Sequence, residues 1–323
     1  MILNMKMTLN KLLSYFLILL SIIICMSSEN WFTIWLSMEL NLISIIPLMY
    51  NYNYESSICM IKYFLIQSIT SNSLLMCFIY NTTPFIAKMY SVLILILLLT
   101  KMGLAPLYMW FPPIMEYLSW MIIFMMLTIQ KFIPLQLIYT INIDSKTFTF
   151  FTLINIWTGS IMMFFYTSLR KILTFSSMSH AGWVFINMNM EGYWLTYMMI
   201  YMAMLLPGIY YFNMFGTSVI SQLPMTKNTM LKINTLIFFL SNSGFPPFAG
   251  FYLKWMTFSL CFSFYNNIIM FLLISSALIN CYFYLRTCYP IICSLDLKKL
   301  YNSYSSSMLI LSYLLINAWP FLL

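Results

Sequence analysis

The chain has 323 residues, of which 62% are hydrophobic and only 7% are charged, and its mean hydropathy is +0.88. Because a soluble domain carries roughly 25% charged residues, this composition excludes an ordinary soluble enzyme, a nucleic-acid-binding protein and a disordered regulator. The net charge of +8 forms no nucleic-acid-binding patch, because the 15 basic residues are spread along the whole chain.

Long apolar segments recur along the chain, and each is long enough to cross a bilayer as a helix. The sequence therefore predicts an all-α polytopic membrane protein. In chain order, we expect eleven transmembrane helices, at 9–26, 31–50, 58–80, 88–111, 118–140, 147–167, 172–189, 193–214, 230–260, 266–286 and 305–323.

Two of the predicted helices contain glycine and proline near their centres. The fourth contains Gly103 and Pro106, and the ninth contains Gly244, Pro246 and Pro247. Proline removes a backbone donor and its ring clashes with the preceding turn, so we expect both helices to be discontinuous in mid-membrane. Backbone groups that lose their helical hydrogen bonds at that depth must be buried in protein or line a water-filled cavity.

The basic residues in the loops and near the ends of the predicted helices fall mostly on one side of the predicted topology. Two of them, Lys88 and Lys146, lie on one side, and ten lie on the side of the N-terminus. Because internal loops carry the excess of Lys and Arg, we expect the N-terminus inside and the C-terminus on the opposite side. The ten are Lys6, Lys11, Lys62, Arg170, Lys171, Lys227, Lys232, Arg286, Lys298 and Lys299.

The two predicted breaks resemble each other. One reads GLAPL from Gly103 and the other reads GFPPF from Gly244, at an offset of 141 residues. The same offset relates Glu39 to His180 without a gap. Each half of the chain therefore contributes one broken helix and one ionisable residue in the middle of another helix.

This pattern predicts an internal repeat of five helices, at 1–140 and 141–289, followed by a C-terminal loop and last helix at 290–323. Two consecutive units with an odd number of spans have opposite orientations in the membrane. Inverted repeats of this kind build secondary transporters, whose ion sites lie at discontinuous helices near the midplane.

Four ionisable residues lie inside the predicted membrane segments: Glu39, Lys101, Lys131 and Lys254. A charge at the bilayer centre costs about 2.5–3.5 kcal/mol even on the translocon-insertion scale, so these residues must be paired, wetted or partly neutral. Apolar surroundings disfavour a charged amine, so each Lys can exchange its proton near neutral pH. We predict that they form a proton relay, and structural ion pairing is the alternative.

His180 is the single histidine of the chain and follows Ser176, Ser177 and Ser179. These three hydroxyls can satisfy the imidazole locally or hold a chain of water. On the residues alone, a relay role and a role as a satisfied core residue are equally supported.

Six motifs occur in the order WLSMELNLISIIPLM, KYFLIQSITS, LLLTKMGLAPLYMWFPP, TIQKFIPL, ILTFSSMSHAGWVF and LSNSGFPPFAGFYLKW. In amino-acid sequence and in order, these motifs resemble those of the family of mitochondrial NADH dehydrogenase subunit 2, an antiporter-like membrane subunit of respiratory complex I. The length and the eleven spans look like the shortened animal form of that family. The region after residue 290 carries little of this signal.

The resemblance implies a role for each of five residues. Glu39 matches the family's mid-helix Glu, which pairs with the Lys of the first broken helix, here Lys101. Lys131 matches the Lys of the central hydrophilic axis, and His180 matches a His that continues it. Lys254 matches the terminal Lys of the second broken helix, which faces the exit route.

The resemblance also implies a location and an assembly. The expected location is the mitochondrial inner membrane, with the N-terminus in the matrix and the C-terminus in the intermembrane space. The expected partners are membrane lipids and the other membrane subunits of complex I, in an obligate hetero-oligomer without nucleic acid. The chain itself is expected to hold no cofactor, because NADH, FMN, iron–sulphur clusters and ubiquinone belong to the complex elsewhere.

The composition agrees with organellar coding. The chain has 30 Met, 28 Phe and 24 Tyr but only 7 Ala and 3 Val, as an AT-rich genome favours. Three alternatives stay open: a subunit of a cation/proton antiporter, a sister antiporter-like subunit of the same complex, and a structural subunit that only anchors its neighbours. The last would need no row of buried charges.

Overall fold

A computed structural model describes residues 2–50, 54–79, 84–141, 143–189, 193–226, 229–264 and 267–294. Within these ranges the regular secondary structure is helical, and two residues, Ser168 and Val219, form an isolated antiparallel bridge. The eleventh predicted helix, 305–323, lies outside the described residues. The chain divides into two compact units, Met1–Phe148 and Thr149–Leu323.

The first unit contains seven described helices and the start of an eighth. They are α1 (Ile2–Ser27), α2 (Trp31–Met49), α3 (Tyr54–Ile79), α4 (Pro84–Lys101), α5 (Phe111–Tyr117), α6 (Trp120–Leu127), α7 (Ile129–Thr140) and α8 (Ser145–Met162). The boundary between the units falls inside α8. Within the first unit, α2 packs against α1, α3 and α7, and α3 packs against α4.

The second unit continues with a 3₁₀ helix that directly follows α8. Its elements are this 3₁₀ helix (Met163–Phe165), α9 (Leu169–Asn189), α10 (Trp194–Phe215), a second 3₁₀ helix (Ile220–Gln222), α11 (Thr229–Ser243), α12 (Ala249–Phe264) and α13 (Asn267–Cys293). Helix α9 contacts α10 and α12, and α11 contacts α10, α12 and α13.

Five described helical segments are long and apolar enough to cross a membrane. They are Trp31–Met49, Trp120–Thr140, Ser145–Phe165, Trp194–Phe215 and Asn267–Cys293, and two shorter apolar helices run over Lys11–Ser27 and Met89–Lys101. The chain is thus an all-helical protein with membrane-spanning capacity. The total of eleven spans stays a prediction.

The first helix break begins with a glycine in the left-handed backbone conformation, which residues with a side chain rarely adopt. Gly103 has φ +68°, its N–H donates to Thr100 O at 3.0 Å, and the N–H of Leu104 donates to Leu99 O at 2.9 Å. This pair of bonds is the Schellman motif that ends a helix. Helix α4 therefore ends at Lys101, ten residues before the expected end of the fourth helix, and α5 begins separately at Phe111.

The second break repeats this geometry at an offset of 141 residues. Gly244 has φ +77°, its N–H donates to Ser241 O at 3.1 Å, and the N–H of Phe245 donates to Leu240 O at 3.2 Å. The predicted ninth helix is accordingly divided into α11 and α12. The hydrogen bonds at the two breaks thus correspond residue for residue.

A further interruption divides the predicted fifth helix at Thr128, between α6 and α7. The Thr128 hydroxyl donates to Phe124 O at 2.7 Å, a back-bond that bends helices. Pro134 lies farther along the chain, inside α7. The interruption places Lys131 in the first turn of α7.

Helix α9 lies at the centre of the second unit and is buried along most of its length. Two glycines allow its close approach to the part of α8 that belongs to this unit. A Cβ at Gly159 would meet the backbone of Ser179 and Phe175, and a Cβ at Gly182 would meet Ile156. Small residues permit this kind of close helix packing in membrane proteins, and here they fix the position of His180.

Candidate functional site

Three of the five predicted relay residues lie in the first unit. Lys101 and Lys131 are buried, with 8% and 2% of their surface exposed, and Glu39 is half-buried. Glu39 lies on α2, Lys101 is the last residue of α4, and Lys131 lies near the start of α7. Lys101 and Lys131 thus lie beside the helix interruptions described above, whereas Glu39 lies in the middle of the continuous helix α2.

The Lys101 ammonium faces α2. Its Nζ lies 3.8 Å from Sδ of Met38, the residue before Glu39, and Glu39 is within electrostatic range of it. Among the described residues, Glu39 Oε1 is buried without a hydrogen-bond partner. Glu39 and Lys101 therefore interact electrostatically at a distance in this structure, without a direct hydrogen bond to Glu39 Oε1.

A network of neutral amides, which the sequence analysis did not single out, lies beside Lys101. Asn41 Nδ2 donates to Gln130 Oε1 at 3.2 Å, and Gln130 Nε2 donates to Asn41 Oδ1 at 2.8 Å. The Tyr63 hydroxyl also donates to Gln130 Oε1, at 3.3 Å. Gln67 Nε2 donates to Lys101 O at 2.9 Å and so satisfies a carbonyl at the end of α4.

These side chains and Lys101 line a cavity of about 20 Å³, which is enough space for roughly one water molecule. The cavity walls come from α2, α3, α4 and α7. Gln130, which precedes Lys131 in the chain, forms part of the wall. These two amides could have been found in the sequence, because Asn41 stands two residues after Glu39 and Gln130 stands directly before Lys131.

His180 lies in the second unit, buried on α9. Its Nδ1 is 2.9 Å from the Tyr197 hydroxyl, and its ring centroid is 4.7 Å from that of Tyr201. The hydroxyls of Ser176 and Ser179 donate to carbonyls of α9 itself, those of Leu173 and Ser176. The observed partner of the imidazole is thus a tyrosine of the neighbouring helix α10.

Lys254 lies on α12 and folds back onto the end of α11. Its Nζ donates to Ser243 O at 2.5 Å, and its side chain passes so close to Gly244 that a Cβ there would lie 2.8 Å from Lys254 Cδ. The negative end of a helix dipole favours a cation. The fold therefore holds a buried ammonium at the C-terminal end of the first half of the broken helix.

One basic residue that the charge tally assigned to the N-terminal side is buried. Lys232 lies in the first turn of α11. Its Nζ donates to Ser294 O at 2.8 Å and to Ser294 Oγ at 2.9 Å, just beyond the end of α13. The carbonyls left open at that helix end explain why the charge is tolerated there.

A protein-family model matches most of the chain. The family model described as NADH:quinone oxidoreductase/Mrp antiporter, TM, matches residues 28–280. NADH-ubiquinone oxidoreductase chain 2 of Aedes aegypti is 36% identical over 314 residues, which cover 92% of this chain and 91% of that protein. The protein of the same name from Anopheles gambiae is 34% identical over 280 residues, which cover 83% and 82%.

Solved structures share the fold. A chain in respiratory complex I from Thermus thermophilus with bound aureothin aligns with a TM-score of 0.78 at 17% identity, covering 87% of this chain and 70% of that one. A chain of the Mrp complex from Dietzia sp. DQ12-45-1b aligns with a TM-score of 0.71 at 16% identity, covering 85% and 58%. At these identities the likeness concerns the fold alone.

Proposed function

This chain belongs to the NADH:quinone oxidoreductase/Mrp antiporter family and, within it, to the NADH-ubiquinone oxidoreductase chain 2 family, and we propose that it translocates protons as an antiporter-like subunit in the membrane arm of respiratory complex I. The protons cross the mitochondrial inner membrane. Redox chemistry in other subunits, which hold FMN, the iron–sulphur clusters and the sites for NADH and ubiquinone, supplies the energy.

The proposal includes the membrane topology expected from the sequence. This topology has eleven spans, two inverted five-helix repeats, the N-terminus in the matrix and the C-terminus in the intermembrane space. The matching hydrogen bonds at Gly103 and Gly244 support a repeat. Large apolar side chains such as Phe262, Ile268 and Phe271 are exposed and suit contact with lipid or with other membrane subunits.

The observation that supports proton translocation best is a buried lysine at the C-terminal end of the first half of each broken helix. Lys101 ends α4, and Lys254 binds the last carbonyl of α11. An intramembrane Lys is costly and is by default a functional residue. Lys is suited to proton transfer because burial changes its proton affinity strongly and because its ammonium is compact.

In the first unit, the relay begins with Glu39 and Lys101. The Glu39 carboxylate stabilises the Lys101 ammonium through space. When that carboxylate is protonated or screened, Lys101 holds its proton less firmly and can release it into the polar cavity. Asn41 and Gln130 orient a water there, and Lys131, the next residue after Gln130, accepts the proton.

In the second unit, the relay continues with His180 and Lys254. The imidazole can take up a proton while Tyr197 holds its Nδ1 and so fixes the ring. The Lys254 amine then carries the proton at the end of α11, where a carbonyl stabilises its charged form. Release from Lys254 completes the transfer toward the exit side.

A cation/proton antiporter subunit is the rival function, and the likeness in fold to the Mrp complex favours it. The two mosquito relatives favour the complex I function, because they are far more similar in sequence and bear the name of an oxidoreductase chain. A purely structural role would not account for the burial of Lys101, Lys131 and Lys254 together.

Native electrophoresis of gently solubilised membranes separates these functions. Staining for NADH oxidation locates the redox complex, and mass spectrometry locates this chain. We expect the chain in the large NADH-oxidising band. Its presence only in a small particle without NADH oxidation, together with sodium-dependent proton exchange in vesicles, would support the antiporter and overturn the proposal.

A further inference from the structure

A cavity of about 440 Å³ lies in the second unit, with walls from α9, α10 and α12. Pockets that bind small molecules have volumes of about 300–1,000 Å³. The walls of this cavity include Tyr193 and Met199, whose side chains are 49% and 59% exposed. The cavity is therefore open to the surroundings of the unit, and a ligand can enter it from outside.

The cavity extends from a membrane surface into the membrane. Helix α10 is long and apolar enough to cross a bilayer, so Tyr193 at its N-cap lies near the membrane surface, where tyrosine is enriched. Helix α9 ends four residues earlier, at Asn189. Ile200 also lines the cavity, and the seven residues from Tyr193 to Ile200 span about 10 Å along the helix.

The polarity of the walls changes along this direction. The polar residues Asn187 and Thr196 lie near the end of α9 and in the first turn of α10, whereas Met199, Leu253 and Met256 contribute apolar side chains from farther along α10 and from α12. Among the described residues that line the cavity, none carries a formal charge. The cavity thus fits an amphiphile with an apolar chain and a head group without net charge.

Asn187 indicates what the head group must provide. Its side chain is 3% exposed, and its Oδ1 has no hydrogen-bond partner among the described residues. Buried polar atoms in native proteins are normally hydrogen-bonded, and Oδ1 of an amide only accepts hydrogen bonds. A molecule that satisfies this atom from the cavity must therefore bring a donor.

We propose that this cavity binds a phospholipid with a primary-amine head group. One acyl chain lies between α10 and α12, and the ammonium donates a hydrogen bond to Asn187 Oδ1. An acyl chain gains little by moving from lipid to an apolar protein surface, because the two surroundings are similar. The head group therefore decides which lipid is retained, and a choline head, which has no N–H donor, binds less well.

The proposed lipid site lies beside the candidate proton relay. Tyr197 lines the cavity, and its hydroxyl is 2.9 Å from His180 Nδ1. A bound acyl chain packs against this tyrosine and limits its movement away from the imidazole. Lipid binding itself does not depend on the proposed proton translocation, so the two can be tested separately.

Two photoreactive phospholipids test the proposal. They have identical acyl chains, one of which carries a diazirine, and they differ only in an ethanolamine or a choline head. Each probe is added to the assembled complex in nanodiscs and illuminated, and mass spectrometry locates the labelled peptides. We expect the ethanolamine probe to label the walls in α10 and α12 roughly tenfold more than the choline probe, as one hydrogen bond to a charged group predicts.

Four variants separate the head-group contact from the space for the chain. Asn187→Leu removes the acceptor at similar volume, and we expect it to make the two probes equal, whereas Asn187→Asp keeps an acceptor and the preference. Met199→Trp fills the cavity and should abolish labelling by both probes. Met214→Trp is the matched control, because Met214 is a 60% exposed residue of the same helix that does not line the cavity. Native electrophoresis verifies that each variant assembles.

The unaltered complex tests the proposal even if a variant does not assemble. Equal labelling of the cavity walls by the two probes would show that no amine is recognised there. Labelling that Met199→Trp leaves unchanged would show that the chain lies elsewhere. Absence of labelling, with a helix of a neighbouring subunit in the cavity in high-resolution density, would replace the lipid with a protein contact. Each of these three results would overturn the proposal.

Discussion

Lys254 donates a hydrogen bond to the backbone carbonyl of Ser243 across the second helix break. The bond joins the two halves of an interrupted membrane helix through a group that can also carry a proton. A helix end offers free carbonyls, so the fold provides a stable place for the charged amine. The same contact can therefore serve structure and proton transfer, and the two roles can be separated by experiment.

Replacing Lys254 with Arg tests which role matters. Arg keeps a charge that can bind the Ser243 carbonyl, but it does not deprotonate in proteins. We expect Lys254→Arg to retain assembly and to lose proton translocation, as Lys254→Met does. Assembly is measured by native electrophoresis and translocation in sealed vesicles. Normal pumping by Lys254→Arg would show that the residue acts only as a helix cap.

Gly244→Ala should disturb the same contact from the other side. The left-handed backbone costs a non-glycine residue roughly 1–2 kcal/mol, and the new Cβ would displace Lys254. Gly216→Ala is the matched control, because Gly216 is also left-handed, with φ +60°, but a Cβ there meets nothing within 4 Å. We expect Gly244→Ala to lower the dissociation temperature of the purified complex more than Gly216→Ala does. Equal effects would remove the Lys254 contact from the explanation.

The amide pair in the first unit should behave as a coupled unit. Asn41→Leu or Gln130→Leu alone leaves a buried amide without its partner, at a cost of about 1–3 kcal/mol. The double variant removes both amides, so its loss of stability should be smaller than the sum of the single losses. Thermal dissociation of the complex measures all three variants. Strict additivity would contradict the reciprocal hydrogen bonds.

Tyr197→Phe should release the His180 ring, because it removes the hydroxyl that lies 2.9 Å from Nδ1. We expect slower proton translocation at an unchanged rate of NADH oxidation by an artificial acceptor. Tyr210→Phe is the control, since Tyr210 lies on the same helix with an exposed side chain. Identical pumping in the two variants would argue against a role for the His180 contact.

The helix breaks at Gly103 and Gly244 could be predicted from the sequence because proline and glycine have strong local preferences. The break at Thr128 could not, because a threonine back-bond is common in continuous helices and leaves no distinctive pattern.

The buried lysines could be predicted because a charge in an apolar segment has a large cost. The amides beside Lys101 could not be ranked, since Asn41 and Gln130 are neutral and such residues are tolerated in many membrane helices. The burial of Lys232 could not be predicted, because a basic residue at a helix start usually faces solvent and only the fold shows that the end of α13 lies beside it.

The central claim is that buried lysines carry protons through this chain, and Lys131→Ala tests it most directly. Lys131 is 2% exposed and lies far from either end of its apolar segment. Proton translocation and NADH oxidation are measured together in sealed vesicles, with the exposed Lys62→Ala as control. We predict that Lys131→Ala assembles and still oxidises NADH at the flavin with an artificial acceptor, but loses most proton translocation, while Lys62→Ala pumps normally. Full pumping with full NADH-to-quinone turnover in Lys131→Ala would contradict the account.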